Sequence, residues 1–87
     1  MNWTVILSTR AAKDAKKLTK AGFRPQAERL LHLLQDDPFA SYPSYEKLVG
    51  NLKGFYSRRI NIQHRLVYTV DVHQHTVHVL RMWSHYE

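Results

Sequence analysis

The chain contains no cysteine, which excludes a disulfide framework and any thiolate-ligated metal site. That absence fits a reducing compartment, and a cytoplasmic location is expected. It also lacks any apolar run of bilayer length. The stretch Trp3-Thr4-Val5-Ile6-Leu7 is cut off by Arg10 and is too short for a membrane span or the apolar part of a secretion signal, so no membrane attachment is expected. Internal repeats and low-complexity tracts are missing, which excludes solenoid and fibrous architectures. Acidic residues are scarce: seven Asp and Glu stand against thirteen Lys and Arg, a formal charge of +6. A field of that sign on so small a body attracts polyanions, with nucleic acid foremost and an acidic partner chain as the alternative.

What is present is ordinary globular material. Hydrophobic residues make up 44% and charged residues 23%, which excludes a disordered chain. With 87 residues there is enough chain for one modest core, and residues 1–87 are read as a single domain.

Residues 2–7 read as a short buried strand, since the apolar run has no helical stagger. Ser8 or Thr9 can cap a helix running from about residue 9 to about residue 21, with Ala11, Ala15 and Leu18 on one face and Gly22 as its stop. Pro25 suits the first turn of a second helix. There Ala27, Leu30, Leu31 and Leu34 recur at i, i+3, i+4 and i+7, and Asp36-Asp37-Pro38 ends the run. Residues 38–53 read as irregular. Strands are predicted over Phe55–Ile62, His64–Val72 and Thr76–Trp83, joined by loops at Asn61-Ile62-Gln63 and His73-Gln74-His75. The fold class is therefore α+β, in the order β-α-α-β-β-β: two N-terminal helices packed on a four-stranded, mainly antiparallel sheet.

Cleavage of RNA by side chains alone needs a base for the ribose 2′-hydroxyl, an acid for the departing 5′-oxygen and a cation for the charge growing on the phosphoryl oxygens. Glu46 is the one acid between Asp37 and Asp71 and lies among Lys47, Lys53, Arg58, Arg59 and Arg65. An ionised carboxylate there can accept a proton; it equally fits a surface ion pair. Arg58 and Arg59 face opposite sides of a strand, so at most one of them joins a cluster with Arg65. A guanidinium fork grips phosphate, although a solvated sheet face also suits arginines. His85 titrates near neutrality and can donate a proton, and Tyr86 can stack on a base; both also read as a simple tail. Tyr42, Tyr45, Phe55, Tyr56 and Trp83 offer either a base-stacking platform or core packing. His73, His75 and His78 suggest a metal, but no fourth ligand is evident and a polar turn explains them better, so no metal and no cofactor are expected.

The run Glu46-Lys47-Leu48-Val49-Gly50-Asn51-Leu52-Lys53-Gly54-Phe55-Tyr56-Ser57-Arg58-Arg59-Ile60, followed by His64-Arg65-Leu66-Val67-Tyr68 and then His85-Tyr86, resembles the YoeB/Txe family of toxins within the RelE/ParE superfamily. The resemblance implies a RelE-like fold and an endoribonuclease that cuts mRNA in the ribosomal A site and so blocks translation. It further implies neutralisation by a YefM/Axe-like antitoxin, contact with promoter DNA only through the antitoxin complex, and a possible homodimer. By position it makes Glu46 the general base, Arg65 the transition-state stabiliser, Arg59 a phosphate contact, His85 the general acid and Tyr86 a substrate-holding residue. The sequence departs from the pattern at Val49, where the family commonly has a basic residue, with Lys47 or Lys53 available to supply the substrate contact, and at Glu87, which follows the His-Tyr pair. A ParE-like topoisomerase inhibitor and a non-catalytic RNA- or DNA-binding module are the alternatives. The former lacks the Glu, Arg and terminal His set, and no helix-turn-helix signal supports the latter.

Overall fold

The computed structural model describes residues 2–83. Strand β1 (Thr4–Leu7) leads through Ser8 into helix α1 (Thr9–Lys20), and the serine does what its position suggests. Its Oγ accepts the Ala11 amide at 2.9 Å, satisfying one free N–H of the first turn. The same hydroxyl donates to the Leu80 carbonyl at 2.8 Å, tying the helix start to the sheet. Gly22 then takes a left-handed conformation (φ 89°), which a side chain would resist, and the chain turns into helix α2 (Arg24–Asp36). Pro25 sits in the first turn of α2, and Ala27, Leu30 and Leu34 are buried beneath it.

The remaining elements are β2 (Tyr45–Lys47), a short 3-10 turn (Gly50–Leu52), β3 (Tyr56–Arg59), β4 (Arg65–Asp71) and β5 (Thr76–Arg81). They form one sheet in the order β1-β5-β4-β3-β2. The β1–β5 pair is parallel, with Val5 opposite Val77, and the other three pairs are antiparallel. The α+β class and the two helices agree with the sequence reading, but the sheet has five strands rather than four. The additional strand is β2, inside the stretch read as irregular. Three residues are too few to display an alternation, and only their pairing with β3, Tyr45 opposite Arg58, Glu46 opposite Ser57 and Lys47 opposite Tyr56, makes them a strand.

Strand limits are also tighter than the sequence suggested. The end of β3 is set by Asn61, whose side-chain oxygen accepts the amides of Gln63 (2.7 Å) and His64 (2.8 Å) and folds the turn. Strand β5 stops at Arg81 because the next amide, on Met82, is taken by Asp14 of α1.

Both helices lie on one face of the sheet. Period-2 alternation sends Leu66, Tyr68, Val77 and Val79 to that face, where they pack with Ala11, Leu18, Leu30, Leu34, Ile60 and Met82. The opposite face carries Ile6, Thr69 and His78 at one end and the residues of the candidate site at the other. Among the described residues, no helix is long and apolar enough to cross a membrane.

Candidate active site

Strand register decides which polar residues meet. Glu46 stands opposite Ser57 across β2–β3, Ser57 opposite Val67 and Arg59 opposite Arg65 across β3–β4. Cross-strand partners share a face, as do residues two apart, so Glu46, Ser57, Arg59 and Arg65 all point away from the helices. There the Arg65 Nη1 donates to Glu46 Oε1 at 3.0 Å and lies 3.3 Å from the Ser57 hydroxyl. The arginine side chain is 18% exposed and the glutamate 62%, so the cation is held and the carboxylate is open to solvent. These residues, with Arg59, Pro43 and Ser44, line a cleft of about 180 Å³.

Arg58 goes the other way. It is 1% exposed and donates to the carbonyls of Pro38 (3.0 Å), Ala40 (2.8 Å) and Pro43, and through Nε to the Tyr68 hydroxyl (3.0 Å). Its guanidinium also lies 4.7 Å from the Tyr45 ring centroid. Adjacent arginines thus divide the labour: Arg59 faces the cleft, while Arg58 binds the 38–43 segment that supplies one of its walls. Burial pushes the Tyr68 hydroxyl pKa up, and the hydrogen bond and charge of Arg58 only partly offset this.

Other candidates fall elsewhere. Lys47 faces the opposite side from Glu46, opposite Tyr56, and with Lys53, Val49 and Phe55 borders a separate hollow of about 560 Å³. Tyr45 and Tyr56 stack edge-on at 5.5 Å on the helix-side face, so they are not a platform within the cleft. Tyr42 is 87% exposed. His73 and His75 occupy the β4–β5 turn, His75 stacks on Trp3 at 3.7 Å, and His78 faces the open side of β5 opposite Thr69. Among the described residues, no three His, Cys, Asp or Glu come together as a metal site. His85 and Tyr86 lie outside the described residues.

Sequence reasoning missed Ser57 and the Pro43–Ser44 wall. Ser57 had a usable signal, since a polar residue two before Arg59 shares its face. The wall had none, because it depends on Arg58 capturing carbonyls 15 to 20 residues away.

With this geometry, a family model for the YoeB-like toxin of bacterial type II toxin–antitoxin systems matches residues 11–86. The chain belongs to this family. A toxin YoeB from Synechocystis sp. is 49% identical over 58 residues, 67% of this chain, and the chain spans 62% of that relative's length. Among solved structures, a YoeB/ParE toxin from Agrobacterium tumefaciens superposes with a TM-score of 0.85 at 26% identity, covering 95% of this chain and 99% of that one. The YoeB of a YoeB–YefM heterotetramer from Staphylococcus aureus gives 0.79 at 31% identity, covering 99% and 100%. The fold of this YoeB-family chain is RelE-like.

Proposed function

We propose that this YoeB-family chain is a ribosome-dependent endoribonuclease that cleaves mRNA in the A site without a metal. The observation that carries the reading is the Glu46–Arg65 pair, with Ser57 and Arg59, in one open cleft. In this scheme Glu46 takes the proton of a ribose 2′-hydroxyl. The 2′-oxygen attacks the adjacent phosphorus, the P–O5′ bond breaks, and His85 protonates the 5′-oxygen. The products are a 2′,3′-cyclic phosphate and a 5′-hydroxyl end. A guanidinium has five N–H donors, so Arg65 can keep its bond to Glu46 while its remaining donors meet the phosphoryl oxygens. Arg59 adds a second phosphate contact and Tyr86 a stacking surface, while Lys47 and Lys53 are assigned to RNA phosphates beyond the cleft.

The role of His85 rests on the family pattern, and the described chain ends two residues before it. Trp83 stacks on His64 at 4.1 Å, and His64 directly precedes Arg65. The partner in this reading is a YefM/Axe-like antitoxin, through whose complex promoter DNA is contacted. The S. aureus complex with YefM supports this, and a YoeB dimer from the same organism (TM-score 0.81, 31% identity) supports self-association. Residues 1–87 act as one domain in the cytoplasm, where translating ribosomes are.

The test is a cell-free translation reaction with mapped mRNA ends. Wild-type protein should produce cuts at A-site codons. Glu46→Gln and Arg65→Ala, folded, should lower the cleavage rate by about 10²- to 10⁴-fold. Arrest without cuts, or inhibition of a topoisomerase instead, would contradict the proposal.

A further inference from the structure

Ser57 is a buried hydroxyl inside an open cleft. It is 1% exposed, yet it lines the cleft with Glu46, Arg59 and Arg65, so it forms the floor beneath the larger side chains. Its neighbour on β4 is Val67, and valine, which strands favour, would suit the same place. A buried hydroxyl costs free energy unless it is hydrogen-bonded. Among the described residues its side-chain partner is Arg65, whose Nη1 donates to the Ser57 Oγ at 3.3 Å.

That same nitrogen donates to Glu46 Oε1 at 3.0 Å. Nη1 has two hydrogens, so one goes to the hydroxyl and the other to the carboxylate. The remaining three N–H donors of the guanidinium lie on Nε and Nη2. Among the described residues they have no acceptor, and the Nε–Nη2 edge is a planar fork able to meet two oxygens of one phosphate. Arginine and carboxylate frequently pair at two points instead of one, and Glu46, 62% exposed, has the freedom to do so. Such a pair would spend a whole edge of the guanidinium on Glu46. With the hydroxyl in place, the second Nη1 hydrogen is already taken. Were Ser57 there only because a small residue fits beneath Arg65, alanine would serve as well.

We propose that Ser57 is a positioning residue: by accepting one Nη1 hydrogen it limits Arg65 to a single bond with Glu46 and leaves the Nε–Nη2 edge for the phosphoryl oxygens. This rests on the reading of Arg65 as the transition-state stabiliser. Ser57 itself makes no contact with RNA in this scheme. The free edge matters most as charge grows on the phosphoryl oxygens, so its loss should appear in the chemical step and not in ribosome binding.

The experiment is single-turnover cleavage on programmed ribosomes, read as the saturating rate and the half-saturating protein concentration. Ser57→Ala should slow the saturating rate by roughly 10- to 100-fold, the effect of losing a hydrogen bond to a charged group, at unchanged half-saturation. Ser57→Cys keeps the size but offers only a weak acceptor, and should be slowed as well. Ser57→Thr keeps the hydroxyl and should recover most of the rate. In an Arg65→Ala background, Ser57→Ala should have no further effect, because there is no guanidinium left to orient. Should Ser57→Ala not fold, Ser57→Cys takes its place in the cycle. A wild-type rate in the Ala or Cys variant, or the same slowing with and without Arg65, would overturn the proposal while leaving Arg65 as the stabiliser. An Arg65→Ala protein at wild-type rate would instead remove the stabiliser itself, and the role of Ser57 with it.

Discussion

Replacing Arg58 with methionine keeps much of the side chain's bulk and removes its donors. The Pro38 carbonyl stays paired, because the Tyr68 hydroxyl also donates to it at 2.8 Å. The carbonyls of Ala40 and Pro43 lose the guanidinium, and each acceptor left unsatisfied costs about 1–3 kcal/mol. Loss of the cation over Tyr45 adds roughly 0.5–2 kcal/mol. Against this, the protein no longer buries a charge, which returns part of the loss. A net cost of about 3–5 kcal/mol follows, the usual range when one partner of a buried charged network is removed. For a chain of this length, total stability is roughly 4–13 kcal/mol at the ordinary value per residue, so the variant should be close to unfolding. Its Tm should fall by more than about 12 °C, at some 4–8 °C for each kcal/mol. Arg59→Met removes an exposed side chain of the same type and should stay within about 0.5 kcal/mol. Urea unfolding of both variants, followed by circular dichroism, makes the comparison. Losses that are equal and small in the two would refute the idea that Arg58 holds the cleft wall.

Two further outcomes follow from the structure. Burial pushes the pKa of the Asp14 carboxyl up, but hydrogen bonds from Arg81 and the Met82 amide, with the charges of Arg81 and Lys17, hold it below its ordinary range in the folded protein. Its contribution to stability is present above about pH 4 and is lost as the pH falls through the folded value; urea midpoints should therefore fall more steeply with acidification in the wild type than in Asp14→Asn. A zinc-selective chelator should leave single-turnover cleavage unchanged, whereas a loss restored by zinc would return His73, His75 and His78 to consideration.

The sequence was most legible where local rules act alone. The Ser8 cap, the Gly22 stop and the Leu30–Leu34 stripe need only neighbours within a few residues, and all three stand as read. Strand β2 was illegible because its three residues are organised by β3, not by their own pattern. Alternation foretold that Arg58 and Arg59 would part, but not which of them would be buried. That depended on the carbonyls of a distant loop. Asp14 was passed over for the same reason: a charge on a helix reads as solvated until its partners, 67 and 68 residues away, come to it. Within the cleft, Glu46, Arg59 and Arg65 were named from charge and from the family pattern. Ser57 was overlooked because a hydroxyl among arginines attracts no notice until the register sets it opposite Glu46.

The central claim is that the Glu46–Arg65 cleft cleaves RNA only when the ribosome presents it. The cleft is small and open, and Glu46 is largely solvated, so the protein alone has little with which to align a flexible strand. Alignment of reacting groups can recover roughly 7–11 kcal/mol of a barrier, and the decoding site can supply it by holding the codon rigidly. The decisive measurement is single-turnover cleavage of one mRNA, first free and then bound in a programmed ribosome with an empty A site. Cleavage on the ribosome should be faster by several orders of magnitude, and should slow by about 10²- to 10⁴-fold when Glu46 is replaced by Gln. Equal rates in the two states would mean that the protein carries a self-sufficient active site, and would contradict the account.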